Sequence, residues 1–261
     1  MEALFGDISL IGMGIICVLV FVAGYVDAIA GGGGLISLPA YMIAGLPTHA
    51  AIATNKLGSA MGTTVATIQY ARQGFIRPLF ALPCVACGVI GSTIGSNLVL
   101  LVNDFALRVL MLVILPVTAF YVFRLKNFGA TTPEPLAPRQ TILLSSAIAL
   151  AVGVYDGFYG PGTGTFLMLL LTGAAHLGLG SAAGITKAIN LTTNVTALVV
   201  FLLNGQVWIG VGLVAGCFSI AGNYLGARTF TKKGGAIARP VIIVVLCVFF
   251  VKVVYDFAIG A

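Results

Sequence analysis

The stretch "GYVDAIAGGGGLISLP", Gly24–Pro39, places one carboxylate and four consecutive glycines inside a long apolar run. The rest of the chain is equally apolar: of 261 residues 59% are hydrophobic and 8% charged, with a mean hydropathy of +1.11. A soluble domain carries about 25% charge, so the solvent for this chain is a lipid bilayer. Long apolar runs separated by short polar joints predict helices, whereas a membrane barrel would alternate over segments of about ten residues. The fold class is all-α and polytopic, and the four glycines are a break in a membrane helix. The opening "MEALFGD" holds two acids and no Lys or Arg, which argues against a cleaved signal peptide.

The break occurs twice. Asp27, Gly31 and Gly33 match Asp156, Gly160 and Gly162 at an offset of 129, so "YVDAIAGGGG" mirrors "VYDGFYGPGT". Beyond a two-residue insertion the offset becomes 131, pairing Lys56 with Lys187, Gly74 with Gly205, Gly91 and Gly95 with Gly222 and Gly226, and Arg108 with Arg239. The chain divides into an N-terminal repeat, 1–124, a linker, 125–140, and a C-terminal repeat, 141–261. The segment "RLKNFGATTPEPLAPRQ", 124–140, with three prolines, is the longest polar run.

About five helical elements are expected per repeat: 8–30, 34–45, 50–71, 78–101 and 107–124, then 141–158, 164–178, 182–203, 207–228 and 239–258. The short pieces 34–45 and 164–178 reach only about 18–22 Å at about 1.5 Å per residue and cannot cross about 30 Å of hydrocarbon. They are broken or re-entrant.

Basic residues in the joints give an orientation. Arg72 and Arg77 flank 72–77, Arg124, Lys126 and Arg139 mark the linker, and Arg228, Lys232, Lys233 and Arg239 mark 228–239. All three are expected on the cytoplasmic side. The counterparts of the first and third joints are "NGQ", 204–206, and 102–108, where Arg108 is offset by Asp104. Matched joints thus differ in charge, which predicts inverted repeats with both termini periplasmic, an arrangement recurrent in secondary transporters.

Non-helical backbone at membrane depth survives only where protein or a wet cavity satisfies its polar groups. A helix that starts after such a break offers free N–H groups and a positive dipole end, a ready anion site. This makes Gly31, Gly32, Gly33 and Gly34 candidates for substrate binding. In the second half the candidates are Gly160, Gly162, Thr163 and Thr165. The alternative is that the glycines only permit close helix crossing, which is the better account of "GSTIGSN", 91–97. No G-K-[ST] follows the glycines, so they form no nucleotide loop.

The following elements carry "ATNKLGSAMGT" and "GITKAINLTTN". Asn55, Lys56, Ser59 and Thr63 correspond to Thr186, Lys187, Asn190 and Asn194, and each set follows one helical face. Each half therefore presents a polar stripe with one cation. A lysine near a helix centre costs about 2.5–3.5 kcal/mol on insertion scales, so the lysines either line an anion site or pair with Asp27 or Asp156. Those two acids could carry a coupling proton, cap the breaks or hold the lysines. Asp256 can pair with Lys252 at i+4. His49 and His176 are not matched and are expected near interfaces. Tyr25, Tyr155 and Tyr159 flank the breaks as interface anchors or hydroxyl donors.

Cys17, Cys84, Cys87, Cys217 and Cys247 lie in apolar runs, and "CVAC", 84–87, lacks the second pair or His that a metal site needs. No metal, cofactor or nucleic-acid partner is expected. The formal charge of +6 is scattered over helix ends, a pattern of topology and anion handling.

The pairing of "DAIAGGGGLISLPAYMIAGLP" and "ATNKLGS" with "YDGFYGPGTGTF" and "TKAINLTTN" resembles the sulfite exporter TauE/SafE family, in particular its YfcA-like bacterial branch, from about Gly12 to the C-terminus. The resemblance implies a bacterial inner-membrane permease for small sulfur-containing or organic anions such as sulfite, sulfonates or sulfoacetate. It implies no single one of them. On this reading the chain is not an enzyme but a secondary transporter of a small anion, with Lys56, Lys187 and the two helix starts forming the site. An anion channel shares the same lining residues and stands as the alternative. A lipid-phosphate enzyme would need several Arg, His or Glu at one depth. Direction, coupling ion and homo-oligomeric state stay open.

Overall fold

The computed structural model describes residues 8–103, 105–107, 136–233, 236–237 and 240–241. Eight helices are described: α1 Leu10–Ala30, α2 Gly34–Ile43, α3 Thr48–Arg72, α4 Pro78–Leu100, α5 Pro138–Phe158, α6 Thr163–Gly173, α7 Leu179–Leu203 and α8 Ile209–Lys233. No strand occurs among the described residues. The bulk of the expected elements 107–124 and 239–258 falls outside them, as do Asp104, Arg108, Arg124, Lys126, Arg239, Cys247, Lys252 and Asp256.

Five helices, α1, α4, α5, α7 and α8, are long and apolar enough to cross a membrane. Their outer faces carry large bare side chains such as Leu10, Leu79, Leu82, Leu143 and Leu203, as expected where lipid takes the place of water. The 25-residue α3 is long enough but too polar to rank with them. Its neighbours solve that problem. It packs against both α7 and α8, and small buried residues, Ala51, Ala53, Gly58, Ala60 and Gly62, let them approach. Threonine hydroxyls on α3 and α7 return to their own backbone, as Thr63 does to Ser59 O at 2.6 Å and Thr192 to Ala188 O at 2.8 Å, so they need no partner in the bilayer.

Several boundaries move relative to the sequence reading. Pro138, Arg139 and Gln140, assigned to the linker, form the first turn of α5; proline suits that position because the N–H it lacks would be unpaired there anyway. Arg228, Lys232 and Lys233, expected in a joint, lie on α8, where cations oppose the negative end of the helix dipole. The short piece expected over 164–178 stops at Gly173. At 10 and 11 residues, α2 and α6 are only about 15–17 Å long, too short to span.

Contacts repeat with the sequence. The crossing of α1 with α8 is matched by α5 with α4, and α3 with α8 by α7 with α4. A methyl group added to Gly222 would strike Phe21 O and Tyr25 N, and one added to Gly91 would strike Leu150 O and Val154 N. Those targets are themselves matched at an offset of 129. The stretch 91–97 is thus a helix-crossing surface. Each half also lends its last described long helix to the first helix of the other.

Candidate functional site

Helix α1 ends because Gly31 takes φ +74°, donating its N–H to Asp27 O at 2.8 Å, a left-handed cap that glycine adopts without a Cβ penalty. In the second half Gly160 and Gly162 take φ +97° and +83° before α6 begins. The two breaks meet. The backbones of Gly31 and Gly164 touch so closely that a methyl group on either would overlap the other, and Gly34 lies against Pro161. Thr165 Oγ1 donates to Ala30 O at 2.9 Å, and Tyr155 Oη donates to Pro161 O at 2.7 Å. These bonds satisfy carbonyls that the broken helices leave open.

Both lysines are buried at this junction, each paired to a carboxylate from the opposite half. Lys56 Nζ lies 2.9 Å from Asp156 Oδ2, and Lys187 Nζ donates to Asp27 Oδ2 at 2.6 Å. The pairing is crosswise, so each ion pair joins the two repeats. Thr163 Oγ1 donates to the other oxygen of Asp156 at 2.7 Å. Lys56 and Lys187 are each 2% exposed. Unpaired charges at such depth would be costly, and pairing brings the formal sum of these four groups to zero.

A polar cleft lies beside the pairs. From the first half it is lined by Asp27, Gly31, Gly34, Asn55, Lys56 and Ser59, and from the second by Asp156, Gly160, Thr163, Gly164, Asn190 and Asn194. Most of the sequence candidates thus converge on one space. A second cleft adjoins Asp27, and Gly33 lines it. The remaining candidates sit elsewhere: Gly32 and Gly162 line neither cleft, Thr165 is committed to Ala30, and Lys187 reaches the clefts only through Asp27. Thr186 is buried, its hydroxyl has no hydrogen-bond partner among the described residues, and it lines neither cleft.

The sequence reading missed Ser37, Gly164, Ser219 and Asn223, which line the clefts. A signal existed for the last two: they stand four apart on α8 and correspond at 131 to Gly88 and Ser92, so a polar pair replaces a smaller one. Ser37 Oγ donates to Asn55 Oδ1 at 2.7 Å, and Asn223 Nδ2 donates to Ser219 O at 3.1 Å. His49 faces Val99 O at 3.1 Å, away from the clefts. Among the described residues Cys17, Cys84, Cys87 and Cys217 are free thiols, and no cluster of His, Cys, Asp and Glu could hold a metal ion.

Comparison with known proteins agrees with this architecture. The family model "Sulfite exporter TauE/SafE" matches residues 16–253. The chain is 34% identical over 239 residues to a probable membrane transporter, ORF9, of Sinorhizobium sp, covering 92% of this chain and 91% of that one. It is 32% identical over 252 residues to a probable membrane transporter of Haemophilus influenzae, covering 96% and 97%. To the probable membrane transporter YfcA of Escherichia coli K12 it is 32% identical over 248 residues, covering 94% and 90%. No solved structure matches. With a model match along nearly its whole length, similar full-length relatives, and paired breaks and lysines at its centre, this multi-pass membrane chain belongs to the sulfite exporter TauE/SafE family of membrane transporters.

Proposed function

We propose that the chain is a secondary transporter that moves a small anion, a sulfur oxyanion or organosulfonate, across a bacterial inner membrane by alternating access. The observation that carries this reading is the pair of buried lysines held crosswise at the meeting point of two helix breaks, beside a polar cleft. A buried ion pair rarely repays its desolvation as a stabilising element, because a well-packed apolar pair often does as well. Two such pairs in matched positions make better sense as exchangeable contacts. An anion that enters the cleft takes the ammonium groups from the carboxylates, and the loosened pairs free one repeat to move against the other. The choice of a sulfur-containing anion rests on the family's name, and export is the direction that name suggests.

The test is flux in proteoliposomes, with sulfite, thiosulfate, an organosulfonate and a carboxylate as separate substrates. Saturable uptake that is accelerated by substrate on the opposite side supports a carrier; flux that stays linear with concentration points to a channel. Lys187→Met is expected to weaken half-saturation at least tenfold, since a charge-assisted hydrogen bond is worth about 1.5–3 kcal/mol and about 1.4 kcal/mol is tenfold. Unchanged half-saturation would place the anion elsewhere.

Inverted topology is part of the same reading. The loops after α3 and α7 are built alike, with Gly74 and Gly205 at φ +74° and +65° and with Phe75 N and Gln206 N returning to Tyr70 O and Phe201 O. Arg77 follows the first, and the second lacks any basic residue. In a cysteine-free background, Arg77→Cys is expected to label from the cytoplasm and Gln206→Cys from the periplasm. Labelling from one face would end the inverted arrangement.

A further inference from the structure

The two ion pairs are matched in sequence but not in surroundings. Asp156 is closed in: Oδ1 accepts the Thr163 hydroxyl, Oδ2 faces Lys56, and its side chain is 3% exposed. Asp27 is open. Its side chain is 14% exposed and it lines both clefts, with Lys187 on Oδ2. The cause is legible in the repeat, because the counterpart of Thr163 at 129 is Gly34, which has no hydroxyl to give.

The second cleft exists on the Asp27 side, with polar walls formed by Ser37, Asn55, Ser59, Ser219 and Asn223. Asn223 is 1% exposed, and among the described residues its side-chain Oδ1 has no hydrogen-bond partner. A buried carbonyl oxygen left bare keeps its desolvation penalty unrepaid, and a ligand offering positive charge or a donor would remove it. Around Asp156 the equivalent positions differ. Ser37 becomes Phe166, whose ring packs edge-on against Tyr155 at 5.5 Å between centroids. Ser219 becomes Gly88, and Asn223 becomes Ser92, whose hydroxyl is spent on Thr193 O at 2.7 Å.

Charge arithmetic says what the open side lacks. Lys56, Lys187, Asp27 and Asp156 sum to zero, so an anion that draws Lys187 away leaves Asp27 uncompensated in a low-dielectric site. One monovalent cation restores the balance. In transporters with discontinuous helices the coupling Na+ or H+ sits at unwound backbone carbonyls and half-helix C-terminal ends, and Asp27 stands in the last turn of α1, where that helix stops at the break. Among the described residues the ionisable groups around Asp27 are Lys187 from α7 and the buried Tyr70 phenol from α3, with Lys56 from α3 and Asp156 from α5 lining a cleft with it. To these clefts α2, α6 and α8 bring only neutral polar groups. Tyr70 Oη is engaged as a donor to Ala28 O at 2.6 Å.

We propose that the cleft formed by Asp27, Ser37, Asn55, Ser59, Ser219 and Asn223 is the seat of a monovalent coupling cation, sodium or a proton, which takes Asp27 when Lys187 turns to the anion, while Asp156, held by the Thr163 hydroxyl, takes none. This rests on the anion-transport reading. The repeats have specialised: the first carries the coupling cation and the second does not.

The experiment is uptake of labelled sulfite, or of whichever anion the flux screen identifies, into proteoliposomes under a sodium gradient, a pH gradient, or neither. Wild type is expected to accumulate anion under one gradient, and the responding arm names the cation. Asp27→Asn is expected to lose accumulation while exchange of labelled for unlabelled anion remains measurable. Asn223→Ala leaves both ion pairs intact and is expected to raise half-saturation for sodium about tenfold, or to shift the midpoint of pH dependence in the proton arm. Ser92→Ala, the matched change, is expected to behave as wild type. No flux of any anion would overturn the transport reading itself. Flux that follows neither gradient, accumulation retained by Asp27→Asn, or Asn223→Ala indistinguishable from Ser92→Ala would overturn the cation site while leaving transport standing. If Asp27→Asn does not reconstitute, the comparison of Asn223→Ala with Ser92→Ala decides.

Discussion

Gly31→Ala is expected to leave little folded protein, with a loss of about 2–5 kcal/mol. Two penalties act together. The left-handed backbone at φ +74° costs a residue with a Cβ about 1–2 kcal/mol. The new methyl group would also overlap the backbone of Gly164, and forced overpacking costs about 1–3 kcal/mol. A flexible side chain could swing aside, but here the obstacle is main chain held by its own helix start, so α1 and α6 would have to separate at the junction that carries both ion pairs. Gly45→Ala isolates the first penalty, because Gly45 has φ +101° with nothing within 4 Å of an added Cβ. Thermal unfolding of the detergent-purified proteins, followed by size-exclusion chromatography after heating, is expected to show a small shift for Gly45→Ala and loss of the monodisperse peak for Gly31→Ala. Equal melting of the two would mean that the contact between the breaks contributes nothing.

Lys56→Met is expected to cost about 3–5 kcal/mol, because it leaves the Asp156 carboxylate buried without its cation. Among the described residues Asp156 then has only the Thr163 hydroxyl to fall back on. The double variant Lys56→Met/Asp156→Leu removes both charges and is expected to recover most of that stability, since a buried pair is often no better than apolar residues of similar volume. Function should not recover with it. The double variant has lost one of two cations beside the cleft, so its anion half-saturation is expected to rise at least tenfold even though its thermal unfolding resembles wild type. Lys187→Met is expected to destabilise less, because Asp27 is 14% exposed on its side chain and borders two clefts. A double variant that stays unfolded would show the pair to be indispensable to the fold; one that transports normally would remove Lys56 from the anion site.

The amino-acid sequence alone determined the membrane class, the two breaks, the short helices and the internal repeat. The physical reason is that a bilayer tolerates so little: polar backbone, charge and glycine runs in hydrocarbon are rare enough that each occurrence marks itself. Asp27, Lys56, Asp156 and Lys187 were visible for that reason. Their partners were not, because spacing along a helix gives the face a residue occupies and not which neighbour faces it. Only the tertiary structure decided that the lysines pair crosswise, Lys56 with Asp156 and Lys187 with Asp27. It also decided that Thr165 closes the end of α1 instead of facing the cleft. Ser37, Ser219 and Asn223 were hidden because a lone small polar residue on a membrane helix reads the same whether it lets helices cross, bonds its own backbone or lines a cavity. The sequence likewise presented the two halves as equivalents. Their inequality arises where a hydroxyl at Thr163 reaches Asp156 and its matched position, Gly34, has none to offer Asp27, and that difference acquires meaning only once the chain has folded the two breaks together.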